Sequence, residues 1–190
     1  LISSSSVGAD VSRGQGLLGM DIGPSGVKLA LFSMQGGLMA MFQEDYPTHH
    51  PFGGANEHDA NDWWCAAKRG IICVLEQAGV SGEDIAAIGL SCMAPVLLPL
   101  GAGGEPLCRA LIWSDRRADE LLDEIAAVCA DAKLKPITGN GLKSGYLLPK
   151  MVWLKKHQPE IYQKADCFLQ ANGYIAYCLT GERCMDRSMS

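Results

Sequence analysis

The residues best suited to chemistry near the start of the chain are an acid and the turn that follows it. Asp21 stands at the end of an apolar run, 17–22, and residues 23–26 (Gly-Pro-Ser-Gly) have the composition of a tight turn. The backbone N–H groups of such a turn can donate to phosphate oxygens, and a carboxylate beside it can hold Mg²⁺ through water. The motif predicts either a nucleotide-phosphate site or a plain hairpin with a surface acid, and by itself it does not separate the two.

A second candidate site follows an apolar run in the middle of the chain. Trp113 is followed by Asp115, Arg116 and Arg117. An aromatic ring can stack on the C–H face of a sugar, while carboxylate and guanidinium groups bond hydroxyls in pairs. The alternative interpretation is a core aromatic residue beside the charged first turn of a helix.

A third motif, Pro149-Lys150, precedes an apolar stripe that includes Met151 and Leu154. Proline in the first turn is typical of a helix start. We interpret this segment as a helix whose role is packing.

Histidine and cysteine could supply metal ligands, but their spacing does not favour a metal site. His49 and His50 are adjacent and therefore poor partners for one ion, and with His58 they are interpreted as solvated loop residues. The eight cysteines form no C-x-x-C pair. Most of them stand in apolar segments, which predicts buried thiols in a reducing compartment.

Hydrophobic periodicity predicts the elements that must position these residues. Asp59 and Gly79 are suited to cap a helix over about 60–78, because Asp favours the N-cap and Gly the C-terminal end. Strands are predicted at 17–22, 27–33, 38–46, 85–91, 96–100 and 111–113, and helices at 117–130, 149–157 and 171–180, with 161–169 mixed. An opening three-strand meander followed by a helix and a further strand is typical of an α/β domain with a mixed sheet.

Composition limits the classes of function. The chain has 190 residues, 48% of them hydrophobic and 19% charged, which predicts a globular chain of one domain or slightly more. A net charge of −5 argues against a general nucleic-acid binder or a protein bound to anionic membranes. Residues 85–104 carry no charge, but two prolines and four glycines favour two buried strands over a membrane span.

The first 16 residues are Ser/Gly-rich and have no basic segment followed by an apolar one. They do not resemble a signal peptide, so residues 1–16 are predicted to be a disordered extension and 17–190 the folded domain of a cytoplasmic protein.

Taken in order, seven segments resemble the N-terminal half of carbohydrate kinases of the FGGY family. They are 19–28, 59–64, 88–91, 111–117, 137–140, 149–154 and 179–182, followed by Asp186 and Ser188. The resemblance implies an RNase-H-like α/β core of the actin/Hsp70/hexokinase superfamily. It also implies that this lobe pairs with a C-terminal lobe, and that ATP and a sugar bind in the cleft between the two.

The resemblance also implies roles for individual residues. Asp21 would bind Mg²⁺ and phosphate, with Gly23, Ser25 and Lys28 facing the phosphates. The residues that fall where the family meets its sugar or polyol are Met93, Ala94, Trp113, Asp115 and Arg116. The family's catalytic base, an aspartate in a Gly-Gly-x-Asp segment, would lie beyond residue 190, so the chain is expected to be inactive without the C-terminal lobe.

Two departures from the family pattern leave the substrate open. Pro24 stands where the family commonly has threonine, which removes one hydroxyl and one backbone N–H from the turn. Residues 92–95 lack the polar side chains that glycerol and xylulose kinases place there. The alternatives are a truncated, non-catalytic sugar-binding module or gene-fragment product, and a chaperone-like or actin-like member of the superfamily. Whether the intact protein forms a homodimer stays open.

Overall fold

A computed structural model describes residues 16–129 and 131–186. The strands are β1 (Gly16–Ile22), β2 (Gly26–Ser33), β3 (Leu38–Asp45), β4 (Glu57–His58), β5 (Ile85–Cys92), β6 (Leu98–Leu100), β7 (Ala110–Leu111) and β8 (Cys167–Leu169). The helices are α1 (Ala60–Ala78), α2 (Leu122–Val128), α3 (Asp131–Thr138), α4 (Leu147–His157), α5 (Pro159–Lys164) and α6 (Ala171–Thr180). The predicted extension, apart from Gly16, and the resemblance at Ser188 lie outside the described residues.

The central sheet has the strand order β3-β2-β1-β5. β1, β2 and β3 pair antiparallel as a meander, while β5 pairs parallel to β1. The predicted α/β domain with a mixed sheet is therefore confirmed. Two further sheets of two strands each, β4–β7 and β6–β8, lie outside the central sheet.

Helix α1 covers one face of the central sheet. Its ends are those that the sequence predicts: the Asp59 side chain accepts from the backbone N–H of Asn61, and Gly79 adopts the left-handed conformation. The helix lies very close to the strands at Gly70, where a Cβ would stand 2.6 Å from Cδ1 of Leu29. Trp63 is fully buried in the resulting core.

The opposite face of the sheet is open. The large apolar side chains on it keep much of their surface exposed, 38% for Leu17, 37% for Phe32 and 58% for Met41. Pairing register places Gly19 beside Ala30 between them. We call this surface the open face: Leu17, Gly19, Asp21, Lys28, Ala30, Phe32 and Met41. Among the described residues, the outer edge of β5 also pairs with no strand.

The uncharged segment 85–104 forms β5 and β6, as the two-strand interpretation predicts. None of the helices within 16–129 and 131–186 is long and apolar enough to cross a membrane.

The structure differs from the sequence prediction mainly after residue 116. The predicted helix 117–130 is a 3₁₀ turn, Arg117–Leu121, followed by the shorter α2. Three residues per turn place Ala118 and Leu121 on the same side, and both are buried there. Helices α3 and α5 were not predicted, and α4 begins two residues before Pro149.

The interpretation of His58 as a solvated loop residue is wrong. Its ring is fully buried among the aromatic rings of Tyr46 and Trp63. Nδ1 accepts from Nε1 of Trp63 at 3.2 Å, so the single proton of the neutral ring lies on Nε2, which faces Oγ1 of Thr48 at 2.9 Å. Burial, and to a smaller extent the nearby His49 and His50, lowers the pKa of His58 from 6.5 to about 4.

This histidine should make the fold sensitive to acid. Between pH 6.5 and 4, His58 is protonated in the unfolded chain but stays neutral in the folded chain. The free energy of unfolding therefore falls as the pH is lowered through that range. We expect a loss of about 2–3 kcal/mol from this site. Urea unfolding at several pH values, compared with His58→Gln, measures it. An unchanged pH slope in His58→Gln would contradict the prediction.

Candidate active site at the ends of the parallel strands

The turn at 23–26 and the segment that begins at Met93 start where the parallel strands end. β1 ends at Ile22 and β5 at Cys92, and these two residues are partners in the parallel register. The backbone N–H of Met93 donates to the carbonyl of Ile22 at 2.8 Å, which extends the pairing by one residue. Ligands of open α/β sheets commonly bind at the carboxyl ends of parallel strands, so the fold places both segments where a ligand is expected.

Asp21 and Lys28 lie side by side on the open face. They are partners in the β1–β2 register, and both side chains are exposed. With Ser91 of β5 they line a shallow cavity of about 420 Å³. A carboxylate, an ammonium group and a hydroxyl on one open surface are suited to a phosphate group and its cation.

The turn at residues 23–26 is compact and well supported. It closes by a hydrogen bond from the N–H of Gly23 to the carbonyl of Gly26 at 2.9 Å. Gly26 is required because a Cβ there would collide with the carbonyl oxygen of Glu44. Pro24 and Ser25 are exposed at the tip, where Ser25 can face a ligand.

Tyr46 ties this turn to the aromatic core. Its hydroxyl donates to the carbonyl of Gly23 at 2.5 Å, and its backbone N–H donates to the carbonyl of Ser25 at 3.1 Å. Burial, together with the negative charge of Asp21, raises the pKa of Tyr46, so the phenol stays protonated and keeps its donor. The ring then packs edge-on against His58.

Tyr46→Phe should therefore loosen the turn without unfolding the domain. Loss of one hydrogen bond lowers stability by about 1 kcal/mol. We expect faster hydrogen exchange of the amides of residues 23–26, measured by mass spectrometry or NMR. Tyr177→Phe, which deletes a comparable bond to the carbonyl of Gly103, should leave exchange at 23–26 unchanged. Equal exchange in both variants would contradict the assigned role of Tyr46.

The carboxylates of the described segments do not form a closed metal cage. No group of three or more His, Cys, Asp or Glu side chains among them could hold a metal ion. A single exposed carboxylate, that of Asp21, fits Mg²⁺, which keeps several waters and commonly uses one or two carboxylates together with substrate phosphates.

The predicted sugar residues have different surroundings. Trp113 is half exposed, and Arg116 is exposed with Nη1 3.4 Å from Oγ of Ser144. Met93 is buried and Ala94 partly so. Trp113 and Arg116 can therefore reach a ligand as they stand.

The side chain of Asp115 is not accessible from the surface. Its side chain is fully buried, and Oδ2 accepts from the backbone N–H of Asn56 at 2.8 Å. Both carboxylate oxygens accept from Nε of Arg117 at 3.0 Å. The geometry therefore does not support the sequence-based expectation that Asp115 bonds a sugar hydroxyl, since its oxygens already have partners inside the protein.

Arg117 is the centre of a buried charged cluster that the sequence did not indicate. It forms ion pairs with Asp115 and Glu57, at 2.8 and 2.7 Å. Its guanidinium lies between the rings of Phe52 and Trp153, 5.2 and 4.8 Å from their centroids. Burial opposes its charge, but the hydrogen bonds to the two carboxylates raise its pKa above the ordinary value.

Lys150 is a second buried cation. Its Nζ donates to the carbonyls of Ile112, Leu111 and Pro95 at 2.7, 3.3 and 3.4 Å. Burial lowers the pKa of Lys150 to about 7; the charge of Asp115 raises it and that of Arg117 lowers it. A helix pattern alone could not indicate this role, since the three acceptors come from distant parts of the chain.

A second cavity of about 400 Å³ lies beside the start of α4. It is lined mainly by apolar side chains, and none of the predicted site residues is among them. We place the candidate site at the strand ends instead, because the polar side chains of Asp21, Lys28 and Ser91 line the cavity there.

Comparison with known proteins identifies the family. The sequence profile of the N-terminal domain of the FGGY family of carbohydrate kinases matches residues 17–190. The L-xylulose/3-keto-L-gulonate kinase of Escherichia coli is 32% identical over 171 residues, which are 90% of this chain and 34% of that protein. The xylulose kinase of Staphylococcus epidermidis is 29% identical over 164 residues, 86% of this chain and 32% of that protein.

The fold agrees with this assignment. The crystal structure of a xylulose kinase from Rhodospirillum rubrum superposes with a TM-score of 0.87 at 24% identity, over 92% of this chain and 36% of that chain. The chain spans about a third of the length of these relatives. With a profile match over almost its whole length, the chain belongs to the FGGY family of carbohydrate kinases, as its N-terminal domain.

Proposed function

We propose that the chain is the N-terminal lobe of an ATP-dependent kinase that transfers the γ-phosphoryl group to a hydroxyl of a small sugar or polyol. The observation that carries the proposal is a series of backbone contacts that links the two groups of residues: Met93 bonds to Ile22 at the end of β1, and Leu97 pairs with Leu111, two residues before Trp113. Asp21, Lys28 and the turn at 23–26 are suited to phosphates, and the exposed Trp113 and Arg116 are suited to a sugar.

On the phosphate side, each residue has a distinct task. Asp21 would hold Mg²⁺ through water, Lys28 would add positive charge, and Ser25 at the tip of the turn would donate to phosphate oxygens. The metal ion would supply positive charge for the transferred phosphoryl group. Pro24 supplies no N–H, so the turn offers fewer backbone donors than a turn with threonine there would.

On the sugar side, we propose that a ketose is the first substrate to examine, because the similar proteins named above are xylulose and L-xylulose kinases. Trp113 stacks on the sugar, and Arg116 bonds its hydroxyls. Residues 92–95 add only apolar contacts to the sugar site.

We further propose that catalysis needs a second lobe, which supplies the base. The relatives are about three times as long as this chain. The open face supports the proposal, since the exposed apolar side chains of Leu17, Phe32 and Met41 form a surface that a further part of the protein can cover. A cytoplasmic location and a homodimer of the full-length protein stay predictions from the sequence.

The test is ADP release by the full-length protein on a panel of ketoses, polyols and aldonates. We expect turnover on at least one ketose or polyol, and none by the 190-residue chain alone, because phosphoryl transfer depends on positioning between two lobes. Folded full-length protein that binds a sugar without turnover would favour the non-catalytic sugar-binding module. Hydrolysis without any acceptor would favour the actin-like or chaperone-like alternative.

A further inference from the structure

The two walls of the candidate sugar site are joined at their base by one short backbone bridge. We define the first wall as Met93 and Ala94, and the second as Trp113 and Arg116. Leu97 and Leu111 pair antiparallel, with reciprocal N–H to carbonyl bonds of 3.0 and 2.9 Å.

Backbone pairing cannot continue from the bridge along the first wall. Pro95 has no N–H to donate, so its carbonyl is the polar backbone group that it offers at this point. The carbonyls of Pro95, Leu111 and Ile112 instead converge on Nζ of Lys150, at 3.4, 3.3 and 2.7 Å. In its charged form the Lys150 side chain has three N–H donors, which match the three acceptors.

We propose that Lys150 is a positioning residue that sets the separation of the two walls of the sugar site, an inference that rests on the proposed function. It contacts the residue directly after Ala94 and the residue directly before Trp113. The hydrogen bonds of its Nζ go to backbone carbonyls, so it acts through the backbone.

Helix α4 packs Lys150 into the protein interior. Lys150 is fully buried, and Leu154, one turn later, is fully buried too. Trp153 on the same helix packs on Arg117, which binds the segment after Trp113 through Asp115. One helix thus fixes the second wall at two points, at Ile112 before Trp113 and at Arg117 beyond Arg116.

The first experiment needs no sugar. The chain is labelled with 5-fluorotryptophan, and the ¹⁹F resonance of Trp113 is assigned with Trp113→Phe. In Lys150→Met, which keeps the volume and removes the donors, we expect the Trp113 resonance to shift or broaden while those of Trp63 and Trp64 stay in place. Lys155→Met, an exposed lysine on the same helix, should change none of these three. An unmoved Trp113 resonance in folded Lys150→Met would overturn the proposal.

The second experiment separates positioning from stability. In the full-length protein with D-xylulose as the probe, Lys150→Met should raise KM for the sugar roughly 10- to 100-fold, since a displacement of about 1 Å has effects of that size. KM for ATP should stay within about twofold, because the phosphate residues lie on β1 and β2. An equal rise in both KM values would show a merely structural role.

The inference about Lys150 and the proposed function can be tested separately. If Lys150→Met does not fold, Lys150→Arg, which keeps the donors on a longer side chain, is examined by the same two measurements. There too, an unmoved Trp113 resonance or equal KM changes overturn the proposal. If the full-length protein does not phosphorylate D-xylulose, the proposed ketose substrate fails while the ¹⁹F result still decides the role of Lys150.

Discussion

Replacement of Arg117 by alanine is expected to lower the free energy of unfolding by about 3–5 kcal/mol, because it leaves a buried carboxylate without its cation. Asp115 is fully buried, and Arg117 is its cationic partner at 2.8 Å. The variant also loses the stacking of the guanidinium between Phe52 and Trp153. Equilibrium unfolding in urea measures the change.

Variants at neighbouring positions show whether the buried charge is the cause. Arg116→Ala, on an exposed side chain one residue earlier, should cost less than about 1 kcal/mol. The double variant Arg117→Met/Asp115→Asn should be less destabilised than the sum of its single changes, since it removes both charges of the pair. A loss in Arg117→Ala as small as that in Arg116→Ala would contradict the prediction.

The largest effect on activity is expected from Asp21→Asn in the full-length protein. An amide cannot replace the charge that holds Mg²⁺ beside the phosphates, and such charge stabilisation amounts to several kcal/mol. We therefore expect kcat/KM for ATP to fall by about 10²- to 10³-fold, since each 1.36 kcal/mol is a factor of ten. Steady-state kinetics with saturating sugar measures it.

The matched control is Asp45→Asn. Asp45 is also exposed and lies beside the same turn, as the register partner of Gly26, but on β3 rather than β1. It should retain activity within about threefold, and both variants should keep the wild-type unfolding curve, as is usual for surface substitutions. Comparable activity in Asp21→Asn and wild type would remove Asp21 from the phosphate site.

The sequence predicts the local elements well where the chain itself contains the determining residues. Asp59 and Gly79 mark both ends of α1, and the glycine-containing turns at 23–26 and 35–37 separate the strands of the meander. These signals act within a few residues, so tertiary contacts do not override them. Helix α3 was not predicted, since Pro136 inside it opposes a helix assignment.

Burial of the polar residues could not be predicted in the same way. Asp115 appears beside Trp113 and Arg116, and its carboxylate fits a sugar site as well as a buried ion pair. The choice is made by Asn56 and Glu57, almost 60 residues earlier, which bind Asp115 and Arg117. The burial of Lys150 could not be predicted for the same reason, because the carbonyls that accept its hydrogen bonds lie 38 to 55 residues away along the chain. A single sequence does not show which distant segments fold against these charges.

The unpaired edge of β5 has a consequence for the handling of the protein. The strand sequence, Ile-Ala-Ala-Ile-Gly-Leu-Ser-Cys, contains no charge and no proline, the two features that commonly protect an exposed edge. Two molecules can form backbone hydrogen bonds with each other along this edge, with the apolar side chains of the open face beside it. Self-association should therefore increase with protein concentration, and newly made chains are vulnerable to aggregation for as long as nothing pairs with this strand.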